Sequence, residues 1–360
     1  YCDFNSHVRA SVDQALWRSA LLADLAYEAR LEPGRKLGSI FFGGGTPSLM
    51  PPETVGALIA AAERHWGFAP DIEITLEANP SSVEAARFAD LAAAGVNRVS
   101  LGLQSLDDTA LRFLGRAHDV TEGLAALETA QRAFGRVSFD LIYALPEQGD
   151  AVWERQLARA LGFGTGHLSL YQLTIEPGTR FAALAAKGEL RSTDPDHAAA
   201  LYELTQAMTD AAGLPAYEIS NHARPGEESR HNLAYWRYRN YLGVGPGAHG
   251  RRGGNATQRH KKPENWLSAL DRNGHGIAET TPIDPGEAAV EALLMGLRLQ
   301  EGVDCDRIER LANRPFDTLV NSGAVSRLAD QGLMTRQDNR LRATGAGMLL
   351  LDAILAEIVR

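Results

Sequence analysis

Short apolar segments alternate with amphipathic segments through the first 220 residues, and this alternation limits the fold more than any other feature of the sequence. The apolar segments, predicted to be strands, are residues 38–42, 72–76, 98–103, 137–143 and 167–173. The amphipathic segments, predicted to be helices, are residues 52–66, 82–94, 121–134 and 151–161. Buried strands separated by helices are typical of a parallel sheet covered by helices. The sequence therefore predicts an α/β fold, either a barrel or a doubly wound sheet.

The remainder of the chain is predicted to form a smaller accessory region. A length of 360 residues exceeds one compact domain of ordinary size. A helix is predicted at 194–212 and a strand at 217–220, with polar loops at 223–230 and 250–262. Helices at 288–299 and 345–359 surround a short hairpin near 333–343. We predict a barrel domain at 1–250, a linker or loop region at 251–284, and a mostly helical C-terminal domain at 285–360.

Composition excludes several classes of protein. Apolar residues make up 44% and charged residues 22% of the chain, as in globular proteins with a substantial core. The formal net charge of −9 disfavours a nucleic-acid partner. No apolar run approaches the roughly 18–20 residues that span a bilayer. The first ten residues do not resemble a signal peptide, and two distant cysteines do not indicate disulfides. We expect a cytoplasmic protein that does not span the membrane.

Polar residues occur at the ends of several predicted strands. A glycine turn, residues 43–47 (Gly-Gly-Gly-Thr-Pro), follows the first strand; Glu77 and Gln104 close the next two. Asp140 lies within the fourth strand, and Arg116 precedes that strand. A tight turn and structural hydrogen bonds would explain each feature singly. Because the carboxyl ends of parallel strands meet at one edge, the combination favours a shared ligand there.

Segments spread over most of the chain resemble coproporphyrinogen-oxidase-like radical-SAM proteins. Residues 1–6 (Tyr-Cys-Asp-Phe-Asn-Ser) are similar to the end of the cluster loop of that family, C-x3-C-x2-C. The other similar segments are 43–47, 76–80 (Leu-Glu-Ala-Asn-Pro), 101–105 (Leu-Gly-Leu-Gln-Ser), 114–118 (Leu-Gly-Arg-Ala-His), 140–146 (Asp-Leu-Ile-Tyr-Ala-Leu-Pro), 170–179 and 241–249. The resemblance implies a partial (β/α) barrel of radical-SAM type with a small, mostly helical C-terminal domain.

The resemblance also implies an S-adenosylmethionine (SAM) site and a 4Fe–4S cluster. Cys2 would be the third cluster thiolate, and Tyr1 would lie beside the cluster and SAM. The SAM-binding residues that it implies are Gly44, Gly45 and Thr46 for the methionyl end, Glu77, Gln104 and Asp140 for polar groups, Arg116 for the carboxylate, and Thr174 near the adenine. The first two cluster cysteines and the first barrel strand are missing from this sequence. We therefore expect this chain as given to lack the cluster, and the full-length protein to carry it.

A second segment, residues 231–236 (His-Asn-Leu-Ala-Tyr-Trp), places polar and aromatic side chains four residues apart on a predicted helix. It resembles the signature of HemW-type heme chaperones within the same family. The heme-binding residues that this implies are His231, Asn232, Tyr235 and Trp236. Arg237 and Arg239 are close enough in sequence to meet heme propionates. For the basic residues at 251–252 and 259–262, we favour a solvated surface loop over a contact with a partner or a propionate.

The resemblance implies a heme chaperone that transfers heme to heme-acceptor respiratory proteins. The alternative is an oxygen-independent coproporphyrinogen III oxidase, which would use SAM for radical oxidative decarboxylation. A third hypothesis is a barrel enzyme of sugar or phosphate metabolism without a cluster. The segment 231–236 favours the chaperone over the oxidase. No catalytic residue is predicted.

Overall fold

The computed structural model describes residues 13–359, which form two compact units. The first, here called the sheet unit, contains residues 13–22, 34–216 and 220–228. The second, the C-terminal unit, contains residues 23–33, 217–219 and 229–359. Because neither unit is continuous in sequence, this division does not test the domain boundaries predicted at residues 250 and 285, which stay a prediction.

The sheet unit is built on one six-stranded sheet. Its strands, in spatial as well as chain order, are β1 (Leu37–Phe42), β2 (Phe68–Ala78), β3 (Arg98–Gln104), β4 (Arg136–Tyr143), β5 (His167–Gln172) and β6 (Asn221–Ala223). Strands β1 to β5 are parallel, whereas β6 runs antiparallel to β5. Its helices are the first part of α1 (Gln14–Leu31), α2 (Pro52–Trp66), α3 (Ser82–Ala85), α4 (Phe88–Ala93), α5 (Asp108–Phe113), α6 (Val120–Ala133), α7 (Asp150–Leu161), α8 (Arg180–Ala186) and α9 (Pro195–Ala211). The predicted α/β sheet is confirmed.

The two faces of this sheet differ in polarity because side chains alternate along each strand. One face carries buried apolar residues such as Leu76, Leu101 and Phe139, which belong to the main core of the unit. Helices contribute to the same core, for example through Val55 of α2 and Leu157 of α7. The opposite face carries polar and charged residues on β2 to β5: Glu73, Thr75, Glu77, Arg98, Ser100, Arg136, Ser138, Asp140, His167 and Ser169. A sheet with one polar face buried in this way needs internal partners for each polar group.

Near the amino ends of the strands, the polar face is closed by an ion cluster. Glu73 is buried and accepts hydrogen bonds from Arg98 at 3.2 Å and Arg136 at 2.9 Å. Arg136 also donates to Glu227 at 2.8 Å. Each charge has an opposite partner, which offsets the cost of taking it out of water.

The C-terminal unit has two small antiparallel sheets and a helical core. One sheet has the order β7 (His249–Arg252), β8 (Asn255–Arg259) and β9 (Ile277–Pro282), and the other has β10 (Val303–Asp304), β12 (Arg340–Ala343) and β11 (Met334–Gln337). Its helices are α10 (Arg230–Trp236), α11 (Pro263–Asn273), α12 (Pro285–Gly296), α13 (Cys305–Ala312), α14 (Ser322–Asp330), α15 (Gly345–Met348) and α16 (Leu351–Ile358). The apolar core lies mainly among α12, α13, α14 and α16. The predicted helix at 288–299 and the hairpin are confirmed, whereas the helix predicted at 345–359 is divided into α15 and α16.

A buried carboxylate on α1 organises the first of these sheets. Asp24 accepts hydrogen bonds from Arg259 of β8, from Trp266 Nε1 of α11 at 3.1 Å, and from the backbone N–H groups of Gly245 and Gly276, both at 3.1 Å. Glu28, one helical turn later, accepts from the same Arg259 at 2.9 Å. These bonds hold the second part of α1 against β8 and α11.

Three other local predictions were wrong. The predicted strand at 217–220 is displaced, because the residues that pair with β5 are Asn221–Ala223. The predicted loop at 250–262 contains β7 and β8; Arg259, expected in solvent, is fully buried because Asp24 and Glu28 neutralise it. The helix predicted at 82–94 is divided into α3 and α4. None of the helices in the described residues combines the length and the apolar character that crossing a bilayer requires.

The Asp24–Arg259 pair gives a stability prediction. Arg259→Met keeps most of the volume of the side chain but leaves the buried Asp24 without its cation, while Glu28 retains only Arg252, so we expect the free energy of unfolding to fall by about 3–5 kcal/mol. The measurement is urea unfolding of the C-terminal unit followed by tryptophan fluorescence. Arg272→Met, on the exposed face of α11, is the matched control. Equal stability of the two variants would contradict the role given to Arg259.

Candidate functional site

The glycine turn after β1 lies against a carboxylate at the end of β2. The backbone N–H of Gly44 donates to Glu77 Oε2 at 3.1 Å. Gly44 has φ +97°, a conformation that favours glycine. A Cβ added to Gly43 would lie 2.6 Å from the ring of Phe41 and 3.3 Å from Glu77 Oε2. The turn therefore depends on the absence of side chains at these positions.

Asp140 lies on the same polar face as Glu77. Ser100 Oγ donates to Asp140 Oδ1 at 3.4 Å, and the Ser169 hydroxyl, which donates to Asn221 Oδ1 at 2.9 Å, also lies close to the Asp140 carboxylate. Burial raises the pKa of Asp140 to about 6 despite these two hydroxyls and the attraction of Arg116. Burial, and next the charge of Asp140, raise the pKa of Glu77 to about 7. Two carboxylates thus share a site with too little positive charge.

Arg116 and Gln104 meet at the end of β3. Arg116 Nη2 donates to Asn79 Oδ1 at 2.8 Å and to the carbonyl of Gly102 at 3.1 Å. A Cβ added to Gly102 would lie 3.0 Å from Gln104 Nε2 and 3.3 Å from Arg116 Nη2, so glycine lets both side chains approach this strand. Gln104 has φ +68°, which turns the chain sharply as β3 ends.

The other predicted SAM residues lie along the same strand ends. In the described residues they make no direct hydrogen bond to the side chains of Glu77, Gln104, Arg116 or Asp140. Gly45 follows Gly44 in the exposed turn, and Thr46 precedes the short helical turn Pro47–Leu49. Thr174 is exposed, two residues after β5. Tyr1 and Cys2 lie outside the described residues.

The residues at this edge fit the charges of SAM. SAM carries a cationic sulfonium, a cationic ammonium and one carboxylate. Glu77 and Asp140 supply two anionic groups, and Arg116 supplies a guanidinium, the preferred partner of a carboxylate. Burial is the main cause of both raised carboxyl pKa values, and a ligand of this charge pattern would supply a cation that favours the ionised carboxylates.

The second candidate site is helix α10 in the C-terminal unit. None of its seven residues is fully buried, although they include Leu233, Tyr235 and Trp236. Ser229 caps the helix by accepting from the N–H of Asn232. The rings of His231 and Tyr235 are 5.4 Å apart between centroids. The helix therefore presents half-exposed rings beside an imidazole, which is a surface suited to a flat aromatic ligand.

Further rings and cations extend this surface. The ring of Tyr241 lies 4.5 Å from that of Tyr235. The Arg298 guanidinium lies 5.2 Å above the ring of Trp236, and Asn232 donates to the Tyr217 hydroxyl at 3.2 Å. The structure thus brings His231 and Tyr235 together, whereas Asn232 and Trp236 make separate contacts.

Burial shifts the pKa values of the two polar rings on α10 in opposite directions. Burial lowers the pKa of His231 to about 4, so the imidazole is neutral near pH 7. Burial, and next the hydrogen bond with Tyr241, raise the pKa of Tyr235 above its ordinary value. A neutral imidazole is the form that ligates iron, whereas a protonated phenol is a poor ligand.

Within residues 13–359, no group of three His, Cys, Asp or Glu side chains could hold a metal ion. Cys305 is buried at the start of α13. The described residues therefore do not provide ligands for an iron–sulfur cluster. The expectation that this chain lacks the cluster depends on Cys2 and its neighbours, and it stays a prediction.

Sequence reasoning missed several residues of both sites. Ser100 and Ser169 support Asp140, and Asn79 supports Arg116. The alternation of polar and apolar residues along β3 and β5 could have indicated that one face of the sheet is polar. The strands were instead predicted to be buried segments of a sheet covered by helices. Tyr241 was also missed, because only the chain fold brings it to α10, and Arg251 had been assigned to a solvated surface loop.

The shared burial of Glu77 and Asp140 predicts a pH-dependent stability. Because its folded pKa lies above 4.5, Glu77 stabilises the fold below pH 4.5, and this contribution is lost as pH rises through about 7. Glu77→Gln keeps an acceptor for Gly44 and removes the charge. We expect this variant to exceed the wild type by about 2 kcal/mol at pH 8 and to match it at pH 4.5. Thermal unfolding at both pH values, with the exposed-site variant Glu63→Gln as control, tests this; a gain that does not depend on pH would refute it.

Comparison with known proteins gives the family. The model of the radical SAM superfamily matches residues 1–157, and that of the HemN C-terminal domain matches residues 283–350. The chain is 40% identical over 370 residues to radical S-adenosyl methionine domain-containing protein 1, mitochondrial, of Bos taurus, covering 100% of this chain and 84% of that protein. It is 36% identical over 363 residues to heme chaperone HemW of Mycobacterium tuberculosis (strain ATCC 25618 / H37Rv), covering 100% and 91%.

A solved structure gives the fold. Coproporphyrinogen III oxidase (HemN) from Escherichia coli, a radical SAM enzyme, superposes with a TM-score of 0.80 at 22% identity, covering 99% of this chain and 85% of that one. This similarity confirms the partial barrel of radical-SAM type with its C-terminal helical domain. Heme chaperone HemW of Escherichia coli (strain K12) is 34% identical over 365 residues and covers 99% of this chain and 93% of that protein. The chain therefore belongs to the radical-SAM family that includes heme chaperone HemW.

Proposed function

We propose that the protein is a heme chaperone that binds heme against α10 and transfers it to heme-acceptor respiratory proteins. The observation that carries this proposal is the geometry of α10: a neutral imidazole, His231, beside the half-exposed ring of Tyr235. Relatives that carry the name heme chaperone HemW, 33–36% identical to this chain, support it. We propose the cytoplasm as the place of action; three relatives carry mitochondrial in their names.

His231 is the proposed iron ligand. Of the two polar rings on α10, burial keeps the imidazole neutral and the Tyr235 phenol protonated, so the imidazole is ready to ligate without losing a proton. Tyr235 and Trp236 would pack on the porphyrin, where flat rings remove apolar surface from water. Asn232, held by Tyr217, would fix the orientation of the helix surface.

Membership of the radical-SAM family implies SAM and a 4Fe–4S cluster as cofactors. We propose the following SAM contacts: Gly44, Gly45 and Thr46 at the methionyl end, Glu77, Gln104 and Asp140 at polar groups, Arg116 at the carboxylate, Thr174 near the adenine, and Tyr1 beside the cluster. Cys2 would be a cluster ligand. The under-compensated carboxylates Glu77 and Asp140 support this assignment, because a cationic ligand would stabilise both.

Heme titration tests the proposed ligand. We expect wild-type protein to shift the Soret band of added heme, and His231→Ala to bind at least about tenfold more weakly because an axial ligand is lost. His65→Ala, at an exposed position of α2, is the control for removal of a histidine. If His231→Ala and His65→Ala bind heme as tightly as the wild type, His231 is not the ligand.

An anaerobic assay separates the chaperone from the oxidase. Full-length protein with a reconstituted cluster is incubated with SAM and coproporphyrinogen III, and the porphyrinogen products are separated by chromatography. We expect no protoporphyrinogen, because α10 would hold heme rather than a substrate for decarboxylation. Stoichiometric or catalytic formation of protoporphyrinogen would instead establish the oxidase.

A further inference from the structure

Arginine side chains converge on the turn that follows α10. The guanidinium of Arg251 lies 3.5 Å from the ring centroid of Tyr238, and its Nη2 donates to the carbonyl of Arg239 at 2.9 Å. Arg307 Nη2 donates to the carbonyl of Tyr238 at 2.9 Å. Tyr238 has φ +50°, a left-handed conformation that turns the chain sharply after the helix. Three cationic residues therefore meet at one turn.

The positive charge of this turn is not fully balanced. The pKa of Arg307 is lowered by burial and then by the charges of Arg239 and Arg251, while Asp304 opposes the shift. Two further carboxylates lie nearby: Arg237 binds Glu301 through two hydrogen bonds of 2.8 Å each, and Glu291 accepts from the Tyr238 hydroxyl at 2.5 Å. An excess of guanidinium groups in one place is destabilising unless an anion joins them.

The cationic turn continues directly from the aromatic surface of α10. The rings of His231, Tyr235 and Tyr241 follow one another at centroid distances of 5.4 and 4.5 Å. The guanidinium of Arg251 then lies 5.4 Å from the Tyr241 ring. Tyr241 and Arg251 are also joined by backbone hydrogen bonds of 3.0 and 2.9 Å in both directions. An imidazole, two aromatic rings and a cation thus form one continuous surface.

Heme has the same sequence of groups: an iron, a flat apolar ring and two propionate carboxylates at one edge. We propose that Arg239 and Arg251 bind the propionate carboxylates of the heme that lies against α10. This inference rests on the proposed function and adds a recognition element outside the segment 231–236. Guanidinium groups suit this role because they form paired, charge-assisted hydrogen bonds with carboxylates.

Arg239 and Arg251 are better placed for this role than Arg237, which also follows the helix. Arg237 Nε and Nη2 both donate to the Glu301 carboxylate, so this guanidinium already has an anionic partner. Arg239 is exposed, and in the described residues its guanidinium makes no hydrogen bond or ion pair. Among the described residues, the buried Arg251 Nε has no hydrogen-bond acceptor, so this guanidinium also has an unsatisfied donor.

The test compares heme with its propionate dimethyl ester, which has the same iron and ring but no anionic edge. Soret titrations are made with wild type, Arg239→Gln and the control Arg272→Gln, which removes an exposed arginine on α11. We expect wild type to prefer heme over the ester by about tenfold or more, and Arg239→Gln to lose about tenfold in heme affinity with unchanged ester affinity. Arg272→Gln should behave as wild type.

A second variant guards against misfolding. Arg251→Lys keeps the charge but loses the planar fork, so it should weaken heme binding more than ester binding while the thermal midpoint changes little. Equal affinity of wild type for heme and ester would overturn the inference while leaving heme binding by α10 intact. Equal losses for both ligands in Arg239→Gln would also overturn it. Absence of any Soret change with the wild type would overturn the proposed function and this inference together.

Discussion

A charge removed from water must find a partner inside the protein, and this requirement distinguishes the structural from the functional polar groups of the chain. Glu73 and Glu77 show the contrast because they lie on the same face of β2. Glu73 is bound by Arg98 and Arg136. Glu77 instead accepts one backbone hydrogen bond, and burial, followed by the charge of Asp140, raises its pKa. The same strand thus closes the amino end of the sheet and leaves its carboxyl end ready for a cationic group.

The C-terminal unit repeats this contrast with cations. Arg259 is fully buried, but Asp24 and Glu28 bind it, so it serves to hold α1 to β8. Arg239 and Arg251 lie at a turn where Arg237 binds Glu301 and the Tyr238 hydroxyl donates to Glu291. The compensated arginine is structural, whereas the uncompensated ones are suited to an external anion. Burial alone does not identify a binding residue; the balance of charge around it does.

The sequence was sufficient to predict the parallel sheet, most of its helices and the family, because periodicity and the spacing of short segments are local properties. It also predicted that Glu77, Gln104, Arg116 and Asp140 lie at or near strand ends. In the structure the Gly44 N–H donates to Glu77, and Gln104 and Arg116 lie beside Gly102. The role of these residues in SAM binding stays a prediction. Residues far apart in the chain were not predictable: the pairing of Asp24 with Arg259 joins positions 235 residues apart. A basic segment whose neutralising partners are so distant has the composition of a surface loop, so β8 was missed.

The half-exposed rings of α10 bear on release as well as on binding. A ligand seated in a closed pocket gains from burying all of its apolar surface, and its dissociation is correspondingly slow. None of the residues of α10 is fully buried, so a flat ligand resting on Tyr235 and Trp236 would keep part of its own surface accessible. A heme iron can exchange one neutral imidazole ligand for another without a change of net charge. Such a surface binds its ligand less tightly but releases it more readily. Ready release is the property that a protein needs if it passes heme to another protein.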